Sequence, residues 1–264
     1  MRICLIPCLM AALAAPVAAQ ERPFLLSIAT PRDTRPSVRF DYDAGIGERA
    51  FQSDLATRPE QRVGVQASRG RLTLVARVGL ATTGSSYQSA QSGEALYAFV
   101  APGRGVAVAA GGGVLHEAGG VNVLLARVVA GHSTEVWNLQ GNLLLQKPMS
   151  SGRDAIDLIT SVGWSRTLVR GVALGVEAIG EDLEGFWEPN EAEGGARLLA
   201  GPSVRIAPNG RRWQLIAMGG PMFHPSDTGR ASGALRELPP DRARTGYAFK
   251  VSLSLDLLSP TRTP

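Results

Sequence analysis

Residues 247–257, Tyr-Ala-Phe-Lys-Val-Ser-Leu-Ser-Leu-Asp-Leu, decide the fold class. Large apolar side chains occupy every second position, and small, polar or charged side chains occupy the positions between them. This period of two is typical of a β-strand with one apolar and one polar face, and it does not fit a helix. Residues 134–146 repeat the pattern, with Trp137 on the apolar side and Asn138 on the polar side.

About twelve segments of this kind follow one another along the chain. Most have roughly the ten residues that a tilted strand needs to cross a bilayer. Ten or fourteen strands remain alternatives, because both faces of residues 94–129 are apolar or small and Gly111-Gly112-Gly113 interrupts the pattern. The candidate strands lie near residues 36–45, 62–68, 72–82, 94–101, 105–115, 121–131, 134–147, 156–168, 172–181, 197–207, 211–223 and 245–257.

The connections between these segments alternate in length. Asn209-Gly210 is a strong signal for a tight hairpin, because a type I′ turn requires positive φ at both central residues. Short turns on one rim and long loops on the other indicate an all-β fold, a single up-and-down antiparallel transmembrane β-barrel of about 12 strands. Tight turns are also predicted at 68–71, 102–105, 131–133 and 170–171, and longer connections at 46–61, 85–93, 150–155, 182–196 and 224–244.

Several aromatic residues share the parity of the apolar faces and lie near predicted strand ends. In a membrane barrel they would form aromatic girdles at the two lipid–water interfaces. In a soluble exported β-sheet protein, which is the alternative, they would be core aromatics. The girdle candidates are Trp137, Trp164, Trp213, Phe223 and Tyr247.

The sequence divides into four parts. Residues 1–19 have a basic start, an apolar run and small residues before Gln20, which predicts a secretory signal peptide. Cys4 and Cys8 both lie within it, so no disulfide is expected in the mature chain. Residues 20–35 are predicted to form a periplasmic N-terminal extension, in preference to a plug. The barrel would span 36–258 and a C-terminal tail 259–264.

The polar faces of the strands supply the functional candidates. Mixed charges around a hydrated lumen would select small solutes by size and charge, as in a porin-like channel or transporter. A closed structural or adhesive barrel, with its charges paired internally, is the alternative, and a twelve-stranded barrel is wide enough for either. The candidates for the solute pathway are Arg39, Asp41, Asp43, Arg77, Asn138, Gln140, Asn142, Asp157, Glu177, Glu181, Arg197, Arg205, Arg212, Lys250 and Asp256.

Arg127 falls on the nominal lipid face of its strand. Either its side chain reaches water at the rim, or a bulge shifts the parity of the strand.

Enzymatic activity is not expected. The histidines lie in predicted connections, and His224-Pro225-Ser226-Asp227 has the residue types of an acyl-transfer site without a rigid framework. No metal or other cofactor is expected. The net charge of +4 is spread along the chain without a basic run, so no nucleic-acid partner is expected.

Over residues 36–257 the sequence resembles the bacterial outer-membrane β-barrel superfamily. The resemblance is architectural and has no short motif, and the terminal aromatic that such barrels commonly carry is absent from residues 258–264. It implies a Gram-negative outer-membrane location, contacts with lipid and lipopolysaccharide, and assembly by the barrel-assembly machinery. The acidic loop 182–196 is expected to be solvated, with cation binding or gating as alternatives; the oligomeric state and the solute stay open.

Overall fold

The structure is a computed structural model that describes residues 22–25, 28, 36–46, 60–83, 86–100, 106–117, 120–150, 156–186, 196–223 and 245–258. The proposed signal peptide and the C-terminal tail lie outside these residues. The strands are β1 Ser37–Ile46, β2 Glu60–Arg69, β3 Leu72–Thr83, β4 Ser86–Val100, β5 Val106–His116, β6 Asn122–Ser133, β7 Trp137–Pro148, β8 Asp157–Val169, β9 Val172–Glu181, β10 Arg197–Ile206, β11 Trp213–Phe223 and β12 Thr245–Leu258. A short 3-10 helix, Leu183–Phe186, follows β9.

The strands form one closed antiparallel sheet. Each strand pairs with its neighbours in sequence, and β1 pairs with β12, with Ala44 opposite Val251 and Asp41 opposite Ser254. The predicted up-and-down barrel of twelve strands is therefore confirmed. In the described part of the chain, no helix is long and apolar enough to cross a membrane.

The barrel has two unlike ends. At the turn end, where β1 begins and β12 finishes, the connections include the two-residue turns 70–71 and 170–171. Gly70, Gly171 and Gly210 have φ of 61°, 85° and 69° there, a backbone region that favours glycine. The loop end carries the connections 47–59, 182–196 and 224–244.

Two of the predicted connections are wrong. β4 begins at Ser86, so residues 85–93 are largely strand; residues 89–93 are small or polar, which hides the alternation on which the prediction depended. β6 continues through residues 131–133, and the turn follows at 134–136. There Thr134 Oγ1 accepts hydrogen bonds from the backbone N–H groups of Val136 and Trp137, at 3.2 and 2.9 Å.

The burial of side chains is the reverse of that in a soluble protein. On β12, Val251 and Leu253 point outward and are 38% and 39% exposed, whereas Ser252 and Ser254 between them are buried. Other strands show the same apolar exterior, with Leu74 of β3, Leu143 of β7 and Val176 of β9 exposed. An apolar outer surface around a polar interior is the arrangement of transmembrane barrels, and it does not fit a soluble sheet that covers its apolar face.

Leu143→Arg tests the lipid-facing surface. Leu143 lies midway along β7 on the outer face, so the substitution should lower the free energy of unfolding in lipid vesicles by about 2–4 kcal/mol, measured by urea titration. Val169→Arg, an outward change at the turn end of β8, is the control and should cost only about 0–1 kcal/mol. Equal effects at both positions would contradict the membrane orientation.

Candidate functional site in the barrel lumen

All fifteen residues predicted for the solute pathway are on the inner face of the barrel. Most are fully buried there, and Asp41, Arg77 and Arg212 are half-buried. Fourteen of them come from β1, β3, β7 to β10 and β12, and Arg212 directly precedes β11. Their use by a solute remains a prediction.

Two aspartates of β1 organise the first charge cluster. Asp43 Oδ2 accepts two hydrogen bonds from Arg62 of β2, at 2.9 Å from Nε and 2.7 Å from Nη2. Asp41 accepts from Arg39 Nε at 2.9 Å and from Ser254 Oγ at 2.5 Å. Each buried carboxylate thus has a guanidinium partner, which offsets the cost of removing its charge from water.

A second ion pair joins β4 to β6 across β5. Arg127 Nε and Nη2 donate to the two carboxylate oxygens of Glu94 at 2.7 and 3.1 Å, and both side chains are at most 4% exposed. On β5 between them, a Cβ at Gly113 or Gly111 would stand about 2 Å from a backbone carbonyl oxygen of β4, and the one at Gly113 would also stand 2.9 Å from Glu94 Cγ. The glycines therefore clear the inner wall beneath the pair.

The assignment of Arg127 to the lipid face was wrong. Its neighbours Leu125 and Val129 are also buried, so the inward face of β6 is apolar apart from the arginine. Because Leu125 and Val129 are apolar, the inner face of β6 resembled a lipid-facing one in the sequence, and Arg127 was assigned to lipid with them.

A third pair stands at the loop end. Arg197 Nη2 donates to Glu181 Oε2 at 2.5 Å, between directly opposed positions of β10 and β9. Asp182, with a positive φ of 47°, then fixes the start of the acidic loop. Its N–H donates to Leu158 O, and its Oδ1 accepts from Leu158 N, both at 2.9 Å. Loop residues 187–195 lie outside the described residues.

An apolar layer crosses the interior mainly in the half nearest the loop end. Its members are inward-facing side chains of β4 to β12 that pack together and leave little of their surface exposed. Such a layer narrows a water-filled path and opposes the passage of ions. The layer consists of Ala90, Leu115, Val123, Leu125, Leu144, Ile159, Ile179, Leu199, Ile216, Met218, Met222 and Ala248.

Part of the N-terminal segment also lies inside the barrel. Phe24, Leu25 and Ile28 are at most 2% exposed, and Leu25 packs into the apolar layer. The prediction of a periplasmic extension is therefore wrong for residues 22–25 and 28. Sequence alternation marks strands and is silent about an irregular segment whose partners are strand side chains distant in sequence.

The aromatic girdle candidates face outward. Trp164 is 45% exposed on β8, and Trp137 and Trp213 stand half-buried at the turn-end starts of β7 and β11. Phe223 and Tyr247 are exposed at the loop end, on β11 and β12. These positions fit two interfacial belts, a role that stays a prediction.

The described histidines are far apart and do not form a common site. His116 ends β5 at the loop end, whereas His132 lies on β6 near the turn end. The centroids of the His132 and Trp137 rings are 4.8 Å apart. His224-Pro225-Ser226-Asp227 lies outside the described residues. Among those residues, no group of three potential metal ligands comes together.

The sequence candidates missed several lumen residues that carry pairings. Arg62 has the inward parity of Gln66 on β2, so the alternation alone was a sufficient signal for it. Glu94 lies in the ambiguous region, and Arg22 precedes the first strand. Only the three-dimensional closure of the barrel brings Glu94 and Arg22 to their partners.

The fold and its polar interior define a transmembrane β-barrel of the outer-membrane type. Among solved structures, the chain is similar to the KdgM porin in complex with disordered oligogalacturonate, with a TM-score of 0.56 and 9% identity, covering 82% of this chain and 98% of that one. It also matches outer-membrane expressed OmpT of Vibrio cholerae, with a TM-score of 0.45 and 8% identity over 86% of this chain and 100% of that one. No protein-family description and no curated protein matches the sequence. At 9% identity, the likeness to the KdgM porin supports the fold alone.

Arg127→Leu tests the ion pair of Arg127 with Glu94, which faces the glycines of β5. The substitution leaves the Glu94 carboxylate buried without its guanidinium and should lower the free energy of unfolding by about 3–5 kcal/mol in urea titrations. Adding Glu94→Leu removes the stranded charge, so the double variant should regain most of the loss. A double variant as unstable as Arg127→Leu alone would contradict this account.

Proposed function

We propose that the chain is an outer-membrane channel for small polar solutes. The observation that carries the proposal is the inverted barrel, apolar outside and lined with charged and amide side chains inside. A polar lumen offers a solute the hydrogen bonds that lipid cannot supply. The proposed location brings the outer wall into contact with lipid and lipopolysaccharide and makes the barrel-assembly machinery a partner.

The turn-end half of the lumen supports a solute path. Four buried donor atoms there have no hydrogen-bond acceptor within the described part of the chain: Arg39 Nη1, Gln66 Nε2, Arg212 Nε and Gln214 Nε2. Strand pairing brings them together, because Arg39 stands opposite both Gln66 and Asp256, and Asp256 N donates to Arg212 O. Buried donors of this kind suit water or a polar solute. The open cross-section of the lumen must still widen for passage, because the apolar layer and residues 22–25 and 28 occupy the lumen.

A closed structural barrel is the second candidate. The observation that favours it is the pairing of interior charges, Glu94 with Arg127 and Glu181 with Arg197, together with the apolar layer. A channel passes an ion current across a bilayer, whereas a closed barrel does not.

Conductance tests the proposal, using residues 20–264 inserted in planar lipid bilayers. We expect discrete current steps from the unaltered chain or from the full-length variant Gly163→Val, in which the added side chain collides with Phe24. In a salt gradient, Arg212→Glu should move the reversal potential toward cation selectivity. Arg211→Glu makes the same charge change on the exposed neighbour and should move it much less.

Absence of current from both the unaltered chain and Gly163→Val would contradict the channel and favour the closed barrel. Insertion is checked separately by the slower migration of boiled than of unboiled protein on SDS gels. Equal shifts of reversal potential in Arg211→Glu and Arg212→Glu would contradict an ion path past Arg212.

A further inference from the structure

Residues 22–25 and 28, called the N-terminal segment below, meet the lumen wall as a peptide meets a binding cleft. The backbone N–H groups of Arg22, Leu25 and Ile28 donate to side chains of three different strands: Gln214 Oε1 at 3.2 Å, Glu177 Oε2 at 2.9 Å and Asn142 Oδ1 at 3.1 Å. The intervening Pro23 has no N–H to satisfy. The wall thus recognises the backbone at every third residue of the segment.

The last contact of the segment is two-sided. Ile28 O accepts hydrogen bonds from Gln140 and from Asn142 Nδ2, while Asn142 Oδ1 accepts from Ile28 N. An amide side chain that binds both the N–H and the C=O of one residue reproduces the pairing of a neighbouring strand. Arg127 Nη1, at 3.4 Å from Asn142 Oδ1, helps to orient that amide.

Arg22 fills a site for a cation. Its Nη1 donates to Asp43 Oδ1 at 3.0 Å and to Ser252 Oγ at 2.9 Å, and its guanidinium is buried. Its remaining donors bind the segment's own carbonyls, Nε to Phe24 O at 3.0 Å and Nη2 to Leu25 O at 2.5 Å. The guanidinium therefore holds the segment against the barrel wall and also fixes the bend of the segment's backbone.

Phe24 fills a slot opened by a glycine. A Cβ at Gly163, on the inner face of β8, would stand 2.5 to 2.8 Å from three atoms of the Phe24 ring. Leu25 and Ile28 pack against separate groups of inward-facing apolar side chains. A peptide-recognition site has the same parts: hydrogen bonds to the peptide backbone, a site for a cation, a slot for an aromatic ring and apolar contacts.

We propose that the lumen contains a peptide-binding site, occupied at rest by the chain's own residues 22–25 and 28, and that short peptides with a basic and an aromatic residue are solutes of the barrel. The site itself depends only on the contacts above, whereas its use by solutes rests on the proposed channel function. A tethered segment has an effective concentration at its site on the order of millimolar. An external peptide therefore enters when the segment's own contacts are weakened or when the peptide concentration exceeds that value.

The test starts from a full-length chain whose own segment is released. Arg22→Glu combined with Phe24→Ser replaces the side chains that fill the cation site and the aromatic slot, and it leaves the barrel wall unaltered. Residues 20–264 contain no cysteine, so Leu25→Cys can report release. Maleimide should label Leu25→Cys about tenfold faster in the released chain than in the chain with native Arg22 and Phe24. Equal labelling rates would overturn the assignment of these contacts.

Binding is then measured with a fluorescent peptide of the native sequence, Arg-Pro-Phe-Leu-Leu-Ser-Ile, by anisotropy in detergent. The released chain should bind it saturably, and the unaltered chain about tenfold more weakly because its own segment competes. Adding Gly163→Val to the released chain should abolish binding. The control Gly141→Ala should not, because a Cβ there meets its nearest neighbour at an ordinary 3.6 Å.

Absence of saturable binding, or equal binding with and without Gly163→Val, would overturn the peptide site. Conductance of the released chain with the peptide present then separates the two proposals. Binding with current that the peptide blocks supports both proposals. Binding without current from any variant supports the site and rejects the channel, and hence the solute role.

Discussion

Hydrogen bonding between β1 and β12 is the constraint on which the rest of the structure depends. In lipid, an unpaired backbone N–H or C=O has no water to bind, so an open sheet edge is too costly and the sheet must close on itself. Closure is reached here through continuous antiparallel pairing from Arg39 opposite Asp256 to Ile46 opposite Phe249. Once the sheet is closed, each strand has one face toward lipid and one toward a confined interior.

The confined interior explains the unusual residues of the chain. Charges that point inward are removed from most of the water and need partners, which the pairs of Asp43 with Arg62 and of Glu94 with Arg127 supply. The pair of Glu94 with Arg127 needs room, and Gly111 and Gly113, which stand opposite Arg127 and Glu94, provide it by leaving the inner face of β5 without side chains. The run of glycines that weakens the strand pattern in the sequence is therefore a packing requirement of its neighbours.

The interior is divided between a polar half and an apolar layer, and residues 22–25 contact both. Arg22 is bound among the aspartate cluster of β1, while Leu25 packs into the apolar layer. Residues that stand before the first strand are thus held inside the barrel by ion pairing and by apolar packing together.

Alternation in sequence was sufficient to predict most of the fold. Where one face is apolar and the other polar, as in β7 and β12, the strand, its parity and its inward residues follow directly. Alternation gives no signal at residues 89–93, where the two faces do not differ in polarity. It misleads at Arg127, because the neighbouring residues on the inner face of β6 are apolar. It could not place residues 22–25 and 28, because the strand side chains that bind their backbone N–H groups lie more than one hundred residues away and nothing local marks such contacts.

Cross-linking of β1 to β12 tests closure most directly. Ala44 and Val251 are paired across this seam, at a spacing that a disulfide can bridge, and the chain from residue 20 has no other cysteine. The account predicts that Ala44→Cys with Val251→Cys oxidises in lipid vesicles to a circularised chain, with a reducible shift in mobility on denaturing gels. Ala44→Cys with Leu255→Cys, which is out of register, should not. No cross-link in the first pair, or equal cross-linking in both, would contradict a closed barrel of this register.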